Sequence, residues 1–182
     1  MGGNIMNTYW SDAVAEIKNV KSMVGAGMMT ALDVVLDFFR IVISNILEIG
    51  FSFLAIAVAG MLYGPVVGGL VGMIGDLIEY VIRPSGAFFF GFTLNKFVLG
   101  FWYGLMFYKK DLSWKRVILA VFVGNLLTDV VLTPIWLNMM YGTPLFTVVR
   151  VIKCAVMFPI NTAMLYFILK VVKSARLTNR AM

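Results

Sequence analysis

The chain has 182 residues, of which 61% are hydrophobic and 13% charged, with a formal net charge of +6. Soluble domains run at about 45–50% apolar and about 25% charged, so this composition excludes an ordinary soluble fold. At roughly 20 residues per bilayer crossing, the length admits about six spans and no sizeable soluble domain. Histidine is absent, which removes imidazole relays, His-ligated metals and Ser–His or Cys–His catalytic pairs. The single cysteine, Cys154, lies in an apolar stretch, so neither a disulfide framework nor a thiolate cluster is expected. No G-x-x-x-x-G-K-[ST] run occurs, which excludes P-loop nucleotide hydrolysis by this chain.

In chain order, residues 1–22 come first as a cytoplasmic segment. They hold no continuous apolar core of the kind a cleaved signal peptide needs, and Met-Gly-Gly-Asn-Ile-Met lacks the Ser or Thr of a myristoylation signal. Residues 9–20 read as a short amphipathic helix or a membrane-surface lead-in. A first span is predicted over 23–40, where Asp33, Asp37 and Arg40 at i, i+4 and i+7 form one polar stripe. Gly27 and Ala31, flanked by Gly25, Ala26 and Thr30, give this span a face of small residues. Such a face lets another backbone approach closely. It suits packing inside the bundle or docking to a partner membrane subunit, and spacing alone leaves both open.

The second span, 51–63, is short for a full crossing and is expected to be tilted or partly re-entrant. A tight Tyr63-Gly64-Pro65 connection leads into the third, 65–83, because Pro favours a first helical position and Gly a break before it. Gly64, Gly68, Gly72 and Gly75 run along that span toward Asp76 and Glu79, a pattern of ordinary close helix packing. A fourth span follows over 92–108, then the only strongly charged loop, 108–116. The fifth span is 117–138 and the sixth 146–171, with 173–182 as a tail. The expected fold class is therefore all-α: a polytopic membrane bundle of six transmembrane helices, with 23–172 as one domain.

Lysine and arginine placement sets the orientation. The side holding both termini and the 108–116 loop carries ten cations and three acids, a balance of +7. Everything else carries five cations and six acids, a balance of −1. Both termini are thus expected in the cytoplasm, and the basic total needs no nucleic-acid partner.

Charges inside a bilayer are costly, at about 2.5–3.5 kcal/mol each on insertion scales, so each one needs a reason. At about 1.5 Å per residue, Asp76 and Asp129 each lie about 18 Å above the cytoplasmic end of their spans. Arg150 and Lys153 lie about 6–10 Å below the outer end of the last span. These groups converge in the outer half of the membrane. They either pair with one another, as buried charges commonly do, or line a polar cavity open to the outside. Phe88, Phe89, Phe90, Phe92, Trp136, Tyr141 and Phe146 near the outer level, with Trp102 and Tyr103 deeper, favour the cavity. The interfacial aromatic belt is the plainer account of the outer ones.

Several stretches carry a resemblance. Ile49-Gly50-Phe51-Ser52-Phe53-Leu54 is followed by Ala59-Gly60-Met61-Leu62-Tyr63-Gly64-Pro65-Val66-Val67-Gly68-Gly69 and then Gly91-Phe92-Thr93-Leu94. Trp136-Leu137, Tyr141-Gly142-Thr143-Pro144 and Met157-Phe158-Pro159-Ile160 complete it. Over about residues 23–172 the chain resembles the substrate-binding (S) components of energy-coupling factor vitamin transporters, most nearly their folate-specific members. Two departures are visible: Gly27–Ala31 stands where the family has Ala-x-x-x-Ala, and Ala55 stands where proline is expected.

The resemblance implies a multi-pass protein of the cell membrane that captures folate at its outer face. It would then dock through Gly27 and Ala31 on a transmembrane coupling (T) subunit driven by two cytoplasmic ATPases. Neither a cofactor nor a metal is implied. A pterin edge offers paired donors to a carboxylate and a flat face to aromatics, which selects Asp76 or Asp129, with Phe92 and Trp136. The two carboxylates of the glutamate tail select Arg40, Lys96, Arg150 and Lys153. Three rival readings remain: an S-component for another vitamin, an ion-coupled secondary transporter, and a membrane enzyme holding a metal on Asp76 and Glu79. No inverted repeat supports the second, and no paired acidic transferase motif supports the third.

Overall fold

The computed structural model describes the backbone of residues 2–42, 48–84, 87–142 and 148–181, and the side chains of 10–40, 50–84, 87–142 and 154–175. The helix over 9–20 is longer than expected: α1 runs Gly2–Lys18. Asn19 breaks it and starts α2 (Val20–Phe38), its side chain accepting the Lys21 N–H at 3.0 Å. A side-chain oxygen at this position satisfies an otherwise orphaned amide of the first turn. The first predicted span therefore begins three residues early.

α1 is tied down by its C-terminal half. Ala13 is buried, and Trp10 stacks on Phe101 with ring centroids 6.0 Å apart. Glu16 accepts hydrogen bonds from the Ser22 hydroxyl and, at 3.3 Å, from the Tyr108 hydroxyl. Asp12 takes Lys109 Nζ at 2.7 Å, which holds that ammonium above its ordinary range.

After α2 a two-residue antiparallel ribbon sets Ile41 opposite Ile49. α3 (Ser52–Tyr63) has 12 residues, about 18 Å of helix against a hydrocarbon core of roughly 30 Å. Every residue from Leu54 to Met61 is buried. The short second segment is thus the centre of the bundle, and Ala55 sits inside an unbroken helix.

Gly64 then turns the chain at φ +94°, a backbone region that disfavours a Cβ, and Pro65 opens α4 (Pro65–Ile82). α5 (Phe90–Phe107) starts two residues before the predicted 92. Glycines let α3, α4 and α5 cross closely. A Cβ on Gly68 would lie 2.7 Å from Gly60 Cα and 2.9 Å from the Gly100 carbonyl. The α4 glycine stripe is therefore internal packing, as its spacing suggested.

α6 (Trp114–Tyr141) outruns its predicted limits at both ends and carries a π-helical stretch, Leu126–Leu132. α7 (Val148–Ala181) continues as helix through most of the expected tail. Tyr103, Phe107, Val117, Val121, Leu165 and Leu169 pack around α3 as the main core. Among the described residues, three segments are long and apolar enough to cross a membrane: Pro65–Ile82, Trp114–Tyr141 and Cys154–Ala175.

Candidate functional site

Four helices leave an open cavity of about 570 Å³ at one end of the bundle. Its walls are Asp37 on α2 and Arg40 just beyond it, Asp76, Glu79 and Tyr80 on α4, Phe92, Asn95 and Lys96 on α5, and Thr128, Asp129 and Thr133 on α6. Phe88, Phe89 and Tyr141 stand at the same site. Five of the predicted site residues thus meet here: Arg40, Asp76, Phe92, Lys96 and Asp129.

Lys96 is the hub of the polar wall. Gly72 brings α4 directly against its backbone, since a Cβ there would lie 2.6 Å from the Lys96 carbonyl. Its ammonium lies 3.6 Å from Asp76 Oδ1 and makes a short ion pair with Glu79. Thr93 donates to the other Asp76 oxygen at 2.6 Å, so Asp76 is held from two sides. Arg40 pairs with Asp37 at 3.0 Å across one helical turn. Asp33, the third member of that stripe, is not at the cavity surface; it is fully buried between the helices.

The opposite wall comes from the π-helical stretch. Thr128 donates to the Gly124 carbonyl at 3.0 Å, and the Cys154 thiol lies 3.9 Å from Asp129 Oδ2. A π turn advances five residues between hydrogen-bonded partners in place of four. Thr128 and Thr133, five apart, consequently face the same space, and Asp129 beside them does too.

Trp136 is placed differently from the expectation. It does not line the cavity but backs it: Nε1 donates to Asn95 Oδ1 at 2.9 Å, and Asn95 Nδ2 donates to Thr133 at 3.0 Å. Its ring packs on Phe89 at 5.7 Å. Trp102 and Tyr103, expected as deeper cavity aromatics, belong to the core instead. Trp102 Nε1 donates to the Ala120 carbonyl at 2.9 Å, and Tyr103 is buried in the main cluster. The side chains of Arg150 and Lys153 lie outside the described residues, as does Phe146.

Sequence reasoning passed over Glu79, Asn95, Thr128 and Thr133 as ligand-facing groups. Glu79 had a signal, standing one turn after Asp76, but it was read only as a metal partner. No group of three acids or thiols suited to a metal ion occurs among the described residues. Asn95 was the strongest missed signal, an amide in the middle of an apolar helix.

Gly27 and Ala31 are both exposed on α2, and nothing lies within 4 Å of a Cβ built on Gly27. Their face is therefore not used for packing inside this chain.

Comparison with known proteins follows the same lines. Residues 21–176 match the family described as ECF transporter, substrate-specific component. The folate transporter FolT of Clostridium novyi is 37% identical over 166 residues, covering 90% of this chain and 96% of the relative. FolT of Leuconostoc mesenteroides is 36% identical over 83% of this chain and 85% of its own length. A crystal structure of FolT bound with folic acid superposes with a TM-score of 0.75 at 36% identity, covering 82% of this chain and 92% of that one.

Proposed function

The chain belongs to the substrate-specific components of ECF transporters, and from that premise we propose that its cavity captures folate from outside for uptake by partner subunits. It is a membrane transporter component and not an enzyme. The observation that carries the folate reading is the meeting of carboxylates, cations and aromatic rings in one cavity of about 570 Å³. That volume falls within the roughly 300–1,000 Å³ of small-molecule sites. Two relatives named folate transporters, and a similar structure holding folic acid, support it.

Within the site, Asp129 or Asp76 accepts the paired donors of the pterin edge, since both carboxylates line the cavity. Phe92 and Phe89 offer faces to the ring, and Trp136 acts through Asn95 and Phe89. Lys96 and Arg40 receive the carboxylates of the tail, with Arg150 and Lys153 as further candidates.

Six helices, α2 to α7, form the membrane bundle in the plasma membrane, with both termini cytoplasmic. The short α3 sits inside the bundle, away from lipid. The exposed Gly27–Ala31 face docks on the T subunit, and two ATPases supply the energy that this chain lacks a P-loop to provide. The decisive experiment is calorimetry on the purified chain in detergent, without partners. Saturable one-to-one binding of folate is expected, and a chain that ignores folate while binding another vitamin would sink the assignment.

A further inference from the structure

Asp33 has no side-chain exposure, and neither of its carboxylate oxygens has a hydrogen-bond partner. Burying an unpartnered ionised carboxylate is among the most costly arrangements a fold can hold. One oxygen of Glu79, Oε1, is buried and unpartnered as well. Asp33 is pressed against Gly75 of α4, one helical turn before Glu79 on the same helix. Three acceptor atoms therefore meet in one place with no donor among them.

The surrounding charges do not remove the problem. From α2 itself comes Asp37, already paired with Arg40. From α4 come Asp76 and Glu79, and from α5 comes Lys96, whose ammonium pairs with both of those acids and is also attracted by Asp33, without a hydrogen bond to it. α3 offers no acid or base except Tyr63, and from α1 Glu16 meets Ser22 on α2. Four acids thus face two cations. A metal ion has little space here, because Asp33 is pressed so closely on Gly75 that even a Cβ there would collide with Oδ2. The smallest neutralising species is a proton.

We propose that Asp33 and Glu79 share one proton as an acid–carboxylate pair, and that this proton is required for Lys96 to turn from Glu79 toward an anionic ligand. The Asp33 hydroxyl donates to Glu79 Oε1, which spreads the remaining negative charge over two groups and weakens the hold of Glu79 on Lys96. Asp33 is then a positioning residue: it acts on the ligand through Glu79 and Lys96. When hydroxide removes the proton, Glu79 carries its full charge, clamps Lys96, and the affinity falls.

The proton itself can be tested without any ligand. Infrared spectra of the purified chain are expected to show the carbonyl band of a protonated carboxyl, lost in Asp33→Asn and shifted in frequency in Glu79→Gln, where an amide replaces the charged acceptor. The coupling to capture rests on the folate reading above and is tested separately, by the folate Kd across a pH series. The wild type is expected to lose up to about tenfold in affinity per pH unit above the titration of the pair, the limit for one linked proton. Asp33→Asn, whose amide supplies a permanent donor to Glu79, is expected to lack that limb. A wild type without the carboxyl band overturns the inference, even if Asp33→Asn fails to fold. So does a pH limb that Asp33→Asn reproduces, or a Kd set by sodium concentration. A chain that shows the band but ignores folate overturns the functional reading and leaves the pair standing.

Discussion

At the scale of single residues, the cavity lining is held from behind by Trp136, which is not itself part of that lining. Trp136 fixes Asn95 with one hydrogen bond and Phe89 with its ring, and Asn95 in turn holds Thr133. Trp136→Phe keeps most of the packing and deletes the donor, leaving Asn95 Oδ1 unpartnered. An unmade hydrogen bond at a buried acceptor costs about 1–3 kcal/mol. Asn95 lines the cavity, so the cost belongs to the site: the folate Kd is expected to rise about tenfold, equivalent to about 1.4 kcal/mol. The melting temperature should fall by only a few degrees. Calorimetry beside a thermal melt separates the two, and an unchanged Kd with a lowered melting point would make the bond purely structural.

At the scale of elements, the glycines of α4 decide how close the helices come. A methyl group on Gly68 meets backbone on both sides, at Gly60 and Gly100, where no rotamer change can relieve it. Gly68→Ala is expected to lower stability by about 1–3 kcal/mol despite the helix propensity gained. Gly27→Ala, with nothing within 4 Å, has only the propensity gain of up to about 1 kcal/mol and should unfold at or above the wild-type temperature. Thermal unfolding of both variants in detergent checks the order, and equal loss in the two would refute the packing account.

The same elements mark what could be read in the chain. Apolar runs and the Gly64-Pro65 break gave α4 almost to the residue, because hydropathy and a fixed φ are local properties. The Asn19 break, the length of α1 and the π stretch of α6 were not legible. A π turn depends on which carbonyl an amide chooses, and neighbours decide that. In the site, Asp76, Lys96, Arg40 and Asp129 stood out because charges in apolar helices are costly wherever they face. Glu79 and the uncharged Asn95, Thr128 and Thr133 gave weaker signals, and Trp136 had the right level but the wrong side. Asp33 showed its charge and its helix face, yet only the packed α2–α4 contact reveals that it lies behind the wall.

At the scale of the whole molecule, the charge distribution predicts which end of the bundle meets which solution. The cavity and the basic 108–116 loop belong to opposite ends of α5, because Phe92 and Lys96 line the cavity while Lys109 follows the helix after Phe107. An excess of lysine and arginine marks the cytoplasmic side, so the cavity is predicted to face outward. Cys154→Ser supplies a background without thiols, since the chain has one cysteine. In that background Ala87→Cys, at the cavity, should react with a membrane-impermeant maleimide in intact cells, and folate should slow the reaction. Lys115→Cys, exposed at the start of α6, should react only after the cells are permeabilised. The reverse pattern would invert the bundle and leave the cavity facing the cytoplasm, where it could not capture a vitamin arriving from outside. Protection of Ala87→Cys by folate joins orientation and ligand in one measurement, because a site facing inward would see none of the folate added to the medium.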